Sequence, residues 1–271
     1  MNTRLATLTL AASLLGLPAA AAGKLTFKDP TGDDNGPGKY VYPTDTVYKK
    51  GTFDLTEVTV EKKGDNVEFT ASLGANMEDP WKMGSGFSLQ MVFIFIDKDG
   101  KAGSGHTEGL PGLNIQFAPE AAWEKAVILS PQAAPRLKAE VGNKAAALKD
   151  DVVVPSRTKG SGRKLTGSVK ASELGEGDPS QWGFQVVVQS NEGFPAGNDL
   201  MTRKVNEYEG QHRFGGGHDG ECDPHVIDTL AGSAKGDASE AKAQHDMLKY
   251  ECAEDGSTKS PATLTMIRQG K

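Results

Sequence analysis

The segment FSLQMVFIFI at residues 87–96 carries no charge and almost no polarity, and it stops abruptly at Asp97-Lys98-Asp99-Gly100. A strand with one wet face alternates apolar and polar residues, so a run without alternation reads as a central strand covered on both sides and closed by an acidic turn. The rest of the chain must supply that cover. Residues 58–60, 67–73, 164–169 and 183–189 cluster or alternate β-branched and aromatic side chains between Gly, Asp and Asn turns. This is the period of two expected of strands, and Lys62-Lys63-Gly64-Asp65-Asn66 has the composition of a hairpin turn. The pattern predicts an all-β chain, and a single large sandwich suits its length.

Some segments break the rhythm. Residues 120–130, around Trp123, read as a short helix or a strand, and 131–149 is Ala- and Lys-rich with weak helical character. The polar, Gly-rich stretch 154–164 predicts a mobile loop. Residues 239–249 read as a polar helix and 251–271 as a weakly ordered end. The organisation expected is a leader at 1–22, a sandwich domain at 23–232 and a helical or irregular extension at 233–271.

The leader has Arg4, an apolar stretch from 5 to 17 and small residues ending at Ala22, as a secretory signal does. Nothing later is long and apolar enough to span a membrane. The formal charge is −6, and without Arg4 the remaining 29 basic side chains face 36 acidic ones, which argues against a nucleic-acid partner. Cys222 and Cys252 form an even count in an exported chain, so a disulfide is expected. Closing a loop of that size stabilises by roughly 3–4 kcal/mol in the chain-entropy account. Metal binding is the rival use, because His218, Asp219, Glu221, Asp223 and His225 crowd around Cys222.

Residues 29–54 concentrate Asp29, Asp33, Asp34, Asp45 and Asp54 among Gly32, Gly36, Pro37 and Gly38. Hard anionic oxygens on a sharply bent backbone suit Ca²⁺, and an ordinary acidic turn-rich loop is the alternative. Asp97-Lys98-Asp99-Gly100 resembles the start of an EF-hand loop, but Lys101 and Ala102 occupy positions where a ligand and a glycine are needed. A hairpin turn fits better. No GxSxG, HExxH or P-loop occurs, and Phe214-Gly215-Gly216-Gly217 lacks the lysine and the strand-to-helix setting of a phosphate loop.

The series DPTGDDNGPGKYVYPTD, GTFDLTEVTV, DPWKMGSGFSLQMVFIFIDKDGKAGSG, TEGLPGLNI, HRFGGG and VIDTL resembles the C-terminal module of bacterial glucodextranases, over roughly residues 25 to 230. That module belongs with DOMON-like and family 9 carbohydrate-binding β-sandwiches. The resemblance implies two facing antiparallel sheets in a jelly-roll-like sandwich with short helices, bound calcium, and a role in binding polysaccharide or the cell surface. It carries Asp29, Asp33, Asp34 and Asp54 over as calcium ligands, with Asp97 and Asp99 as further candidates. It also carries over Trp81 as a ring that stacks on sugar, and Tyr40, Tyr42 and Tyr208 are the other aromatic ligand candidates. A flat ring can cover a pyranose face while polar neighbours bind its hydroxyls. The sequence departs from the pattern at His212, where related sequences place a tryptophan, and the expectation is of a module that works without a catalytic domain ahead of it, alone or as part of a complex.

The function expected is therefore an exported, non-catalytic, calcium-binding protein of the periplasm, envelope or cell surface that binds polysaccharide or docks onto a surface-layer assembly. Two other classes compete. A haem-binding electron carrier would use residues such as Met77, Met83, Met91 and His106, and a stand-alone glycosidase would need two acids that meet in space.

Overall fold

The computed structural model describes residues 23–269, apart from Ala196, Gly220 and Glu221. The leader expected at 1–22 lies outside the described residues. From the N-terminal side, β1 (Leu25–Lys28), β2 (Leu55–Lys63) and β3 (Asn66–Leu73) pair antiparallel in order. β4 (Gln90–Asp97) then opens a second sheet, followed by the short β5 (Ile115–Phe117), by β6 (Lys125–Leu129) and by β7 (Val152–Val153). The chain returns to the first sheet through β8 (Thr158–Ser161) and β9 (Lys164–Lys170), and crosses again into β10 (Gly183–Ser190) and β11 (Asp228–Thr229). The first sheet is ordered β1-β2-β3-β9-β8, and the second β11-β10-β4-β6-β7.

The two sheets face each other. Val58, Phe69 and Leu165 of the first share one apolar core with Val92, Ile94, Val127 and Val186 of the second. The opposite face of the second sheet does not reach water. Met91, Phe93, Phe95 and Ile128 meet a second core built from α1 (Ala134–Lys144), whose Leu137 and Val141 are buried, and from segments near the C-terminus. Every residue of β4 is buried as a result, which is the physical reason that its sequence does not alternate. The outer face of the first sheet is wet, and β9 alternates in step with it. Ion pairs such as Lys63 to Glu68 lie on that face.

The expected antiparallel sandwich is present, with two short parallel pairings, β6 with β7 and β5 with β14 (Ala262–Leu264). Residues 120–130 resolve into a 3₁₀ turn at Pro119–Ala121 and strand β6, with Trp123 fully buried. Two expectations are corrected. The stretch expected as a mobile loop contains β8, an edge strand hydrogen-bonded to β9, because small polar residues suffice where only one neighbour must be paired. The end expected to be weakly ordered is built in. β14 buries Ala262 and Leu264 in the second core, and β15 (Ile267–Arg268) adds to β10. The short α2 (Ala171–Leu174) follows β9, and ahead of β14 come the helix α3 (Glu240–Met247) and the pair β12 (Glu251–Cys252) with β13 (Thr258–Ser260).

Cys222 and Cys252 are joined as a disulfide. Neither sulfur is therefore a thiolate ligand, and the metal reading of the residues around Cys222 loses its strongest donors.

Candidate functional site

The 29–54 loop leaves β1 and passes beneath β11, held by Gly36 N–H donating to the Ile227 carbonyl at 2.8 Å. This course drives its acids inward. Asp29 and Asp33 are only 5% and 4% exposed. Both oxygens of each side chain are without a hydrogen-bond partner among the described residues. Carboxylate oxygens of Asp29, Asp33 and Asp228 lie within 4.8 Å of one another. That span is twice a calcium–oxygen distance of about 2.4 Å, so a single ion can reach all three.

Burial pushes the Asp29 carboxyl well above the usual range, and Asp33, Glu240 and Asp54 add like-charge repulsion. Burial likewise raises Asp228, aided by Asp29 and Asp33. It lifts Asp33 to about 7 and Asp54 to about 6. Asp54 accepts from Gly32 N–H at 2.9 Å, and Asp228 accepts from Leu55 N–H at 2.6 Å and from Thr229 N–H at 2.8 Å. These donors orient the carboxylates without cancelling their charge. Such a cluster either takes up protons or holds a hard cation, and an all-oxygen set of carboxylates and nearby carbonyls suits Ca²⁺ or Mg²⁺.

The C-terminal segment closes the loop from the other side. Gln244 Nε2 of α3 donates to the Asp33 carbonyl at 2.6 Å, and His245 Nε2 lies 3.0 Å from Asn35 Oδ1. Glu240 accepts from Ser233, Lys235, Gly236 and Asp237 backbone N–H groups. Although burial pushes it up, these donors hold its carboxyl below the usual range.

The second acid group, Asp97, Asp99 and Glu124, is equally close-set but differently served. Arg268 Nη2 sits 2.5 Å from Asp97, and Gly100 N–H donates to Asp97 at 2.7 Å. Ser104 Oγ lies 2.9 Å from both Asp99 and Glu124, and its single hydrogen serves one of them at a time. Lys98 N–H donates to Glu124 at 2.7 Å. Of the six predicted metal residues, Asp29, Asp33, Asp34 and Asp54 share the buried loop, whereas Asp97 and Asp99 belong to this self-satisfied turn. Asp34 is tied up by the Tyr42 hydroxyl, which donates to it.

Trp81 stands on a turn that Asp79 organises by accepting from Met83 N–H and Gly84 N–H, each at 2.8 Å, with Lys82 in the left-handed region at φ 53°. The ring is 36% exposed. Tyr48 and His212 pack edge-on against it, and the Arg203 guanidinium lies 5.6 Å from its centroid. Beside it opens a cleft of about 470 Å³ whose walls include Phe194, Arg136, Glu192 and Asn191. Phe194 is 91% exposed. The polar wall is connected: Arg203 Nε donates to Glu192 at 3.0 Å, and Gln132 Nε2 donates to Asn191 Oδ1 at 2.9 Å.

Over residues 25–266 the chain matches the family described as the C-terminal binding-module, SLH-like, of glucodextranase. It belongs to that family. No match is found among the curated proteins. The matched module is a binding module and not a catalytic domain.

Within this glucodextranase-type module the aromatic candidates separate. Trp81 borders the cleft. Tyr40 is a correction: it is buried, and its hydroxyl donates to the Pro224 carbonyl. Tyr42 is half-buried; its ring packs on Phe53 and Phe214 and its hydroxyl donates to Asp34. Both tyrosines brace the acidic loop. Tyr208 is 73% exposed but does not line the cleft.

Two groups of site residues escape a reading of sequence alone. Asp228 lies far along the chain, yet an acid between Ile227 and buried Leu230 signals a carboxylate forced inward. Phe194, an aromatic in the polar segment Asn191-Glu192-Gly193, carries the corresponding signal for an exposed ring. Of the residues weighed for haem, Met91 is core and His106 Nε2 is 2.8 Å from Asp151.

Proposed function

We propose that the protein is an exported, non-catalytic envelope module that holds polysaccharide in the Trp81–Phe194 cleft, and that calcium in the 29–54 loop keeps its sandwich stable. The observation that carries the glycan reading is a pair of exposed rings beside a hydrogen-bonded polar wall, the combination that covers a pyranose face and binds its hydroxyls. Membership of a binding-module family supports a docking role. The disulfide fits an oxidising compartment, and among the described residues no helix is long and apolar enough to cross a membrane.

The calcium reading rests on orphaned buried carboxylate oxygens. Asp29, Asp33 and Asp228 would hold the ion, and Asp54 would neutralise it from beside the cluster. Bound there, calcium supplies positive charge that the protein's own side chains do not.

The test is a binding screen of the calcium-loaded protein against soluble glycans and cell-envelope fragments, with Trp81→Ala and Phe194→Ala alongside. Binding that falls about ten-fold or more in both variants, with unchanged melting temperature, supports the reading, since stacking losses have that size. Binding that ignores both rings, or no binding in any fraction, contradicts it.

A further inference from the structure

The cleft has a neighbour, and the two together can be taken as one trough. A second hollow, of about 170 Å³, shares Met83 and Gln132 with it and continues towards Ser156 and Arg157. The charge along the trough is opposite to that of the molecule. In a chain of formal charge −6, its walls carry the guanidiniums of Arg136, Arg157 and Arg203 against the single carboxylate of Glu192. Glu192 is already engaged by Arg203 at 3.0 Å, with Arg213 at 4.0 Å behind it. Arg136 donates only to neutral oxygens, Gln132 Oε1 at 3.1 Å and the Gly193 carbonyl, and no ion pair holds it among the described residues. Its guanidinium lies 5.8 Å from the centroid of the Phe194 ring. A cation and a flat ring thus face the same open space.

We propose that the trough binds an acidic oligosaccharide, with successive carboxylate-bearing sugars reaching from the Trp81–Phe194 cleft to Arg157. This rests on the reading of the cleft as a glycan site and names the class of glycan. Guanidinium groups match carboxylates with paired, charge-assisted hydrogen bonds, and a neutral glucan would leave the Arg136 charge without an anionic partner.

The test titrates calcium-loaded protein with uronic acid trimers of several linkages, and with neutral trimers of the same linkages, at low and high salt. At least one acidic trimer is expected to bind about ten-fold more tightly than its neutral counterpart, as charge-assisted hydrogen bonds predict. That advantage should shrink with salt and largely vanish in Arg136→Gln. Arg157→Gln, at an exposed position that lines the second hollow and not the ring-bearing cleft, should reduce trimer binding and spare monomer binding. Neutral trimers that bind as well as acidic ones, unaffected by salt or by Arg136→Gln, would overturn the acidic inference and leave the glycan reading standing. Failure of every trimer, acidic and neutral, would overturn both.

Discussion

Two acid clusters in this molecule each bring three carboxylates within 4.8 Å of one another, and they are chemically unlike. Around Asp97, Asp99 and Glu124 the chain provides Arg268 of β15, a serine hydroxyl and several backbone N–H groups, so the negative charge is answered by the protein itself. In the other cluster Asp228 receives two backbone N–H donors, but Asp29 and Asp33 meet only other acids. Proximity of carboxylates therefore does not by itself mark a metal site. What marks one is burial without partners, because a charge that neither water nor the protein stabilises needs an external cation or a proton.

The largest effect that should separate the clusters is chelation. Calcium at a thousand-fold excess over its Kd stabilises by about 4 kcal/mol, or about 10 °C for a domain of this size. Melting curves with and without EGTA should differ by that order, and Asp33→Ala or Asp228→Ala should remove the difference. A chelator effect that survives both substitutions would break the comparison.

Next in size is Arg268→Gln, which strips buried Asp97 of its cation and should cost about 3 kcal/mol. Chemical denaturation should give the same loss with and without calcium. A loss that calcium repairs would mean that the second cluster is also a cation site.

A graded effect of pH comes third. In calcium-free protein the folded-state carboxyls of Asp33 and Asp54 sit at about 7 and about 6, above their unfolded values near 4. The folded state then holds protons that the unfolded state has released, so stability is highest below about pH 4 and falls as pH rises to about 7. Each such proton is worth about 1.4 kcal/mol per pH unit. Other groups set the behaviour at lower pH, so the check is the slope of melting temperature between pH 5 and 7.5. It should be negative without calcium and flattened with it.

The smallest effect belongs to Asp99→Ala, a largely exposed carboxylate on its own turn, which should shift the melting temperature by about a degree or less.

The sequence made much of this legible, and unevenly so. Turn residues and acids within 29–54 are contiguous, so Asp29, Asp33 and Asp54 could be grouped from spacing alone. Asp228 could not, because the sandwich brings β11 beside the loop only after the sheets have paired. The unbroken run in β4 announced a strand covered on both faces, but nothing in it named the C-terminal segment as part of the second cover. β14 and β15 are too short to show a period. Tyr40 and Tyr42 read as surface aromatics because they sit in a polar loop. The loop's course ties the Tyr40 hydroxyl to the Pro224 carbonyl and the Tyr42 hydroxyl to Asp34.

The most direct test of the central claim is a calorimetric calcium titration at pH 8 of the wild-type protein and of Asp228→Asn, after exhaustive chelation. The expected result is a calcium site in the wild type that Asp228→Asn abolishes and Asp99→Ala leaves intact. Wild-type protein that binds no calcium, or Asp228→Asn protein that binds it equally well, would contradict it.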